Sequence, residues 1–598
     1  MSRVLNLCGL AVLALVLLVC RAEGDESDRV VDGYNRWASH NTSSGGTSSA
    51  IEVRLGWSKG LSCNHTRAFG TVQIDYSTGK VQILATGLDT GTSYDVWLVD
   101  NKPAAKGHSV RPEQGDELFK VGTLAYGKDG AASLTAKLGK SAFRDFDVDL
   151  VVVSQCGSKL DRGGLLYGSP TLYQRAYVDF LKKRKSKHDI ERALRRLVAE
   201  GGRVFREETF SGNGRTCATC HPSTNNFTID KTYIAGLRPD DPLFVAEYVP
   251  ELSENFEKPT LMREYGLILE NTNGFDDLAN NFTMRGVPHT LAMKISMTPA
   301  VFDGLTQPPL QRTGWSGDGA PGGGTLREFA IGAVTQHFTK SLNRQPGVDF
   351  RLPTDDELDA MEAFQLSLGR QKDLDLTKLR LRSPVANAGL AVFQTNGKCF
   401  NCHMNAGANA APAGTQNANF NSGVEAFGHE APLPADDGFG KPGNGTFNTP
   451  SLVEAADTGP FFHNNSVASL EDSVAFYRSE AFKNSPSGAF LGAITMTDLE
   501  VRQVGAFLRA INALENIRSA TDSLSRVQQP HADERHVKDC IAEIEDAAEV
   551  LQRASLHPRA VQSLLLSRRI LTRAGRPNGR QCKEVIVLLA IAKYDIER

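Results

Sequence analysis

The sequence predicts a multidomain protein: an N-terminal all-β sandwich, two mainly α domains each built round a Cys-x-x-Cys-His loop, and a C-terminal helical hairpin. Three observations carry this. A chain of 598 residues is too long for one hydrophobic core. Its first part alternates apolar and polar residues as strands do, and the remainder steps at helical intervals. The Cys-x-x-Cys-His motif occurs twice, each time after the same kind of approach. The formal net charge of -3 leaves no basic excess to neutralise phosphates, which argues against a nucleic-acid partner.

Residues 1–24, MSRVLNLCGLAVLALVLLVCRAEG, combine Arg3, an apolar run from Leu10 to Val19 too short to span a bilayer, and small residues at the end. They predict a secretory signal peptide and a periplasmic or secreted chain that does not span the membrane. Residues 25–165 hold the runs TVQIDY, KVQILATGL, SYDVWLVD and DFDVDLVVVS, separated by Gly, Asp and Asn, and predict the sandwich. Residues 166–375 and 376–520 each predict one helical domain. YQRAYVDFLKKRKSKHDIERALRRLVAEGGRVF opens the first and TDDELDAMEAFQLSLGRQ closes it; LEVRQVGAFLRAINALENI closes the second. Residues 521–598 predict a hairpin of two amphipathic helices, near 535–555 and 580–595. In an exported chain the remaining cysteines predict the pairs Cys63–Cys156 and Cys540–Cys582.

The chemistry sits in GRTCATCH, with Cys217, Cys220 and His221, and in GKCFNCH, with Cys399, Cys402 and His403. Both follow a small residue, an apolar-Phe pair and Asn-Gly-basic, with one residue before the first Cys in the first copy and none in the second, a weak internal repeat. A zinc tetrahedron would need two such pairs brought to one site, and a redox dithiol needs no obligatory His. Covalent haem uses every element: two thiols add to the vinyl groups and the imidazole becomes an iron ligand. Two c-type haems are expected, and the helical domains are read as cytochrome c-type.

The segment FNTPSLVEAADTGPFFHNNSVASLEDSVAFY, residues 447–477, with the two motifs, resembles the bacterial di-haem cytochrome c peroxidases and their MauG-like relatives over roughly residues 195–520. The resemblance implies that the haem on His221 meets hydrogen peroxide or dioxygen, and that the haem on His403 passes electrons. It implies Tyr477 as the sixth ligand of the second iron, with Met496 and Met404 as alternatives. It puts Trp315 between the haems, the carbonyls of Thr458 and Pro460 on a calcium ion, and His463 in the second haem pocket. A small electron-donor protein, cytochrome or cupredoxin, or an oxidisable protein or organic substrate, is the implied partner.

One departure bears on activity. The family places a Gln and then an acid over the first haem; here TLREFAIGAVTQHFTKSL puts Phe329 and Thr339 at those positions. No acid follows Glu328 before Asp349, so Gln336 and His337 are the nearest polar replacements, with His289 as another distal candidate. Phe329 and Phe338 would also suit an apolar pocket like that of the rubber oxygenases, which makes a dioxygenase the second reading. A non-catalytic electron-transfer cytochrome is the third.

Overall fold

The computed structural model describes residues 26–43, 49–102, 110–139, 141–270, 272, 274–297, 311, 313–315, 324–408, 417–427, 445–527 and 534–598. The expected signal peptide lies outside the described residues. Among the described residues nine strands form the N-terminal unit: β1 (Ala50–Leu55), β2 (Phe69–Asp75), β3 (Lys80–Thr86), β4 (Tyr94–Asp100), β5 (Glu117–Thr123), β6 (Ala125–Tyr126), β7 (Ala132–Lys137), β8 (Leu150–Gln155) and β9 (Gly164–Gly168). They make a five-stranded sheet, β1-β2-β3-β7-β6, and a four-stranded sheet, β5-β4-β8-β9. Val72, Ile74, Val81 and Ile83 pair across β2 and β3 and face the same core as Val96, Leu98, Val151 and Val153 of the second sheet. β8 is buried along almost its whole length. Val151 and Val153 face the first sheet, while Leu150 and Val152 pack on helices of the next domain. A strand covered on both faces reads as a continuous apolar run.

The region expected to be all-β opens with a helix, α1 (Glu26–Ser43). Its Val30, Val31, Tyr34 and Trp37 fall on one helical stripe and join the sandwich core. The helical pattern from residue 173 forms two helices, α2 (Leu172–Leu181) and α3 (Lys187–Glu207). Between them Lys183 takes φ 58, and Ser186 starts α3 with a capping box to Asp189. The basic run KKRKSK, residues 182–187, therefore ends α2 and turns the chain into α3.

The Cys-x-x-Cys-His repeat is a packing repeat. α3 leads into the short helix α4 (Cys217–Cys220) and crosses α6 (Asp355–Ser367), which follows α5 (Leu326–His337). α7 (Pro384–Gln394) leads into the second motif and crosses the long helix α9 (Asp498–Val527), which follows α8 (Leu470–Phe476). A Cβ at Gly201 of α3 would lie 1.8 Å from the Ala360 carbonyl, and one at Gly389 of α7 equally close to that of Gln503. The small residue of each approach thus lets two backbones touch, which brings Phe205 and Phe393 into their cores.

The C-terminal expectation needs three corrections. α10 (Glu534–Arg553), α11 (Pro558–Ala574) and α12 (Gly579–Ile596) make three helices where a hairpin of two was expected. α9 runs through the expected boundary at residue 520. The four cysteines expected in disulfides are free thiols: Cys63 and Cys156 are exposed, and Cys540 and Cys582 are buried. The Cys540 thiol faces the Ala520 carbonyl of α9, and that of Cys582 faces the Pro577 carbonyl just before α12. α10 also reaches both halves of the molecule. Its Asp539 accepts from Ser223 at 2.9 Å and its Asp546 from Asn226 at 3.1 Å, just beyond the first motif, while Glu543 faces α9 through Ser519 and Asn516.

Candidate functional site

Each Cys-x-x-Cys-His loop is fixed by the basic residue that precedes it. Arg215, fully buried, donates to the Leu243 carbonyl at 2.6 Å and pairs with Glu257 at 3.0 Å. Lys398, in the left-handed region at φ 53, donates to the Leu491 carbonyl at 2.6 Å. The histidines are tethered alike. Nδ1 of His221 lies 2.8 Å from the Phe227 carbonyl, and Nδ1 of His403 lies 3.0 Å from that of Pro450. Burial pushes both imidazoles down to about 4 against those hydrogen bonds, which keeps them neutral. A neutral ring held through Nδ1 offers Nε2 to a metal.

Burial pushes the Cys217 and Cys399 thiols up to about 12 and those of Cys220 and Cys402 up to about 11. A redox dithiol requires the opposite shift. Among the described residues no three His, Cys, Asp or Glu side chains gather as a metal cluster, so the two motifs do not combine into a zinc site. Neutral sulfur beside a tethered imidazole, on a mostly apolar cavity wall, fits a covalently attached haem at each loop.

Two cavities adjoin these loops. The larger encloses about 290 Å³ and reaches from His221 and His289 to Cys399, Cys402 and His403. The smaller, about 130 Å³, lies over Cys217, Cys220 and His221. Trp315 and Phe329 line both. The indole of Trp315 donates to the Gly286 carbonyl at 2.8 Å, and its own carbonyl accepts from the Asn448 amide at 2.7 Å.

Around His403, Tyr477 lies on the cavity wall between Phe462, Phe476 and Phe482. Burial and the nearby Cys402 and Cys399 raise its phenol well above its ordinary value. Met496 and Met404 are not on that wall. Thr458 and Pro460 are, and the Thr458 hydroxyl donates to the Glu454 carbonyl at 2.6 Å. His463 is buried, stacks on Phe447 with ring centroids 3.6 Å apart, and meets Glu425 through Nε2 at 2.5 Å.

Over the first motif, Phe329, His337 and Phe338 line the smaller cavity. Thr339 is buried and is not on its wall. Gln336 lies behind, donating to the Leu269 carbonyl. His289 faces the larger cavity, and burial together with His221 pushes it down to about 4. Two wall residues were not anticipated. Glu270 follows strand β10 (Leu267–Leu269), which pairs with β11 (Met284–Gly286). Lys59 comes from the N-terminal sandwich, on the loop after β1. Nothing in the linear sequence joins either to α5, because the sandwich supplies one and a distant hairpin the other.

No family model matches the chain. Over 88 residues it is 33% identical to cytochrome-c peroxidase IdrP1 of Denitromonas iodatirespirans, a stretch that covers 15% of this chain and 23% of that protein. The chain therefore spans about a quarter of that relative's length. The match points to the group of proteins that the sequence motifs resemble. Among solved structures, a MauG-like protein associated with microbial copper homeostasis matches 52% of this chain and 87% of its own, at 18% identity and a TM-score of 0.31. No described helix is long and apolar enough to cross a membrane.

Proposed function

We propose that the chain is an exported di-haem c-type oxidoreductase of the peroxidase and MauG-like kind. One haem is held by Cys217, Cys220 and His221, the other by Cys399, Cys402 and His403. The observation that carries this reading is the repeated tether, a neutral histidine fixed through Nδ1 beside two half-buried thiols, at both loops. When bound, the haems supply the electron chemistry and an iron able to take hydrogen peroxide or dioxygen. The protein's part is to hold, space and enclose them. Trp315, on the wall of both cavities, is the bridge between them. Tyr477 is the sixth ligand of the second iron, supported by its place on the wall from which Met496 and Met404 are absent. The carbonyls of Thr458 and Pro460 are the candidate calcium ligands, an oxygen donor set suited to a hard cation. A small cytochrome or cupredoxin is the proposed electron donor, or an oxidisable protein or organic molecule the substrate.

The charged group on the wall of the first cavity supports peroxide over the dioxygenase reading, because O–O cleavage in peroxide requires a proton to move. The test has two parts. Mass and pyridine haemochrome absorbance should give two covalent haems per chain. Rapid mixing of the fully ferric and half-reduced protein with one equivalent of hydrogen peroxide should then shift the haem spectrum quickly. No shift in either state sinks the peroxidase reading.

A further inference from the structure

Thr339 stands where the resemblance would put an acid, yet the wall of the first cavity carries a carboxylate. Glu270 lies between two bases: Lys59 Nζ touches its Oε1, and His337 Nε2 lies 3.6 Å from its Oε2. Burial favours the neutral acid, but the Lys59 ammonium and His337 outweigh it and hold the carboxyl down at about 2. Lys59 also donates to Gln336 Oε1 at 2.7 Å. On its other side His337 Nδ1 lies 3.9 Å from Glu257, the partner of Arg215. Arg215 and Arg285 are the other charged groups on this wall.

The fold is shaped to deliver Lys59. Its side chain is 3% exposed although it belongs to another domain. The loop is closed by hydrogen bonds from Leu61 and Ser62 to the Ser58 carbonyl and by the Gly56–Tyr167 bridge. Gly60 sits against α5, where a Cβ would come within 2.4 Å of the Thr335 hydroxyl. The Lys59 stem crosses Gly332, at 3.4 Å from where a Cβ there would stand. Bringing an ammonium out of water is costly until it is paired. An apolar side chain would seal the same domain contact without that cost.

We propose that His337 is the proton-transfer residue of the first haem cavity, and that Glu270 and Lys59 are the positioning pair that orients it, so that the N-terminal sandwich completes the active site. This rests on the haem reading above. His337 accepts the proton of one peroxide oxygen and returns it to the other, which departs as water when the O–O bond breaks. The overall reduction, H2O2 with two protons and two electrons to two waters, draws its electrons from the donor protein.

The test uses ligands in place of turnover. Cyanide enters as HCN and binds ferric iron as the anion, so a base must take its proton. Carbon monoxide binds ferrous iron with no proton transfer. In the full-length haem-loaded protein, His337→Leu, Glu270→Gln and Lys59→Met should each slow cyanide association at the first haem by about tenfold or more. Carbon monoxide association should be unchanged, and Lys59→Arg should recover most of the cyanide rate. Equal slowing of both ligands means that the pair only keeps the cavity open and overturns the proposal, as does an unchanged cyanide rate in the three variants. A wild-type first haem that binds neither ligand refutes the open-haem reading itself.

Discussion

Asp546 gives the sharpest quantitative prediction, because α10 brings it beside Asp457 and Asn226. Burial and the Asp457 charge push its carboxyl up to about 8 from an ordinary 3.8, against the Asn226 hydrogen bond. Burial likewise pushes Asp457 up to about 6, against the amides of Asn516 and Asn512. The folded chain therefore holds protons that the unfolded chain releases. The stability this contributes is fully present below pH 3.8 and is lost as pH rises through about 6 to 8. Each pH unit over which only the folded chain keeps a proton is worth about 1.4 kcal/mol, so the rise from pH 5 to 8 has a ceiling of about 4 kcal/mol for one group. Asp457 competes for the same proton, which reduces the expected loss to about 2 kcal/mol. Asp546→Asn should leave thermal unfolding nearly unchanged at pH 5 and raise its midpoint by several degrees at pH 8. An equal effect of the substitution at both pH values would refute this reasoning.

Other outcomes follow from the same geometry. Replacing Cys217 and Cys220 together by Ser should halve the covalent haem measured by pyridine haemochrome and leave the second loop loaded. Tyr477→Phe removes the proposed oxygen ligand and should raise the potential of the second haem in a spectroelectrochemical titration, with the first unmoved. Gly60→Ala forces a methyl against Thr335 and should cost about 1–3 kcal/mol in denaturant unfolding. Arg215→Met leaves Glu257 without its partner in a fully buried site and should cost about 3–5 kcal/mol.

How much could be read beforehand depended on how local the signal was. The strands of the sandwich were legible because Val72, Ile74, Val81 and Ile83 alternate with polar residues. The helix at residues 26–43 was legible too, from the stripe of Val30, Val31, Tyr34 and Trp37, and was missed because the strand signals beyond it dominated the reading. The third C-terminal helix was missed because two helices were enough to account for the two outer cysteines. Those cysteines sit in helices whose packing turns each thiol to a backbone carbonyl, which no spacing rule records.

The sequence by itself determined the two proposed attachment loops: Cys217, Cys220 and His221, and Cys399, Cys402 and His403, are adjacent along the chain, and two thiols beside an imidazole define their own local geometry. It also determined the repeated approach, since Gly201 and Gly389 act within one helix crossing each. Only the tertiary structure decided what surrounds those loops. Lys59, Glu270 and His337 come from a sandwich loop, a short hairpin and the end of α5, and they meet because the four-stranded sheet buries its second face on the helices of the first motif. Attachment depends on neighbours in sequence, whereas a cavity wall depends on which distant surfaces the hydrophobic core brings together.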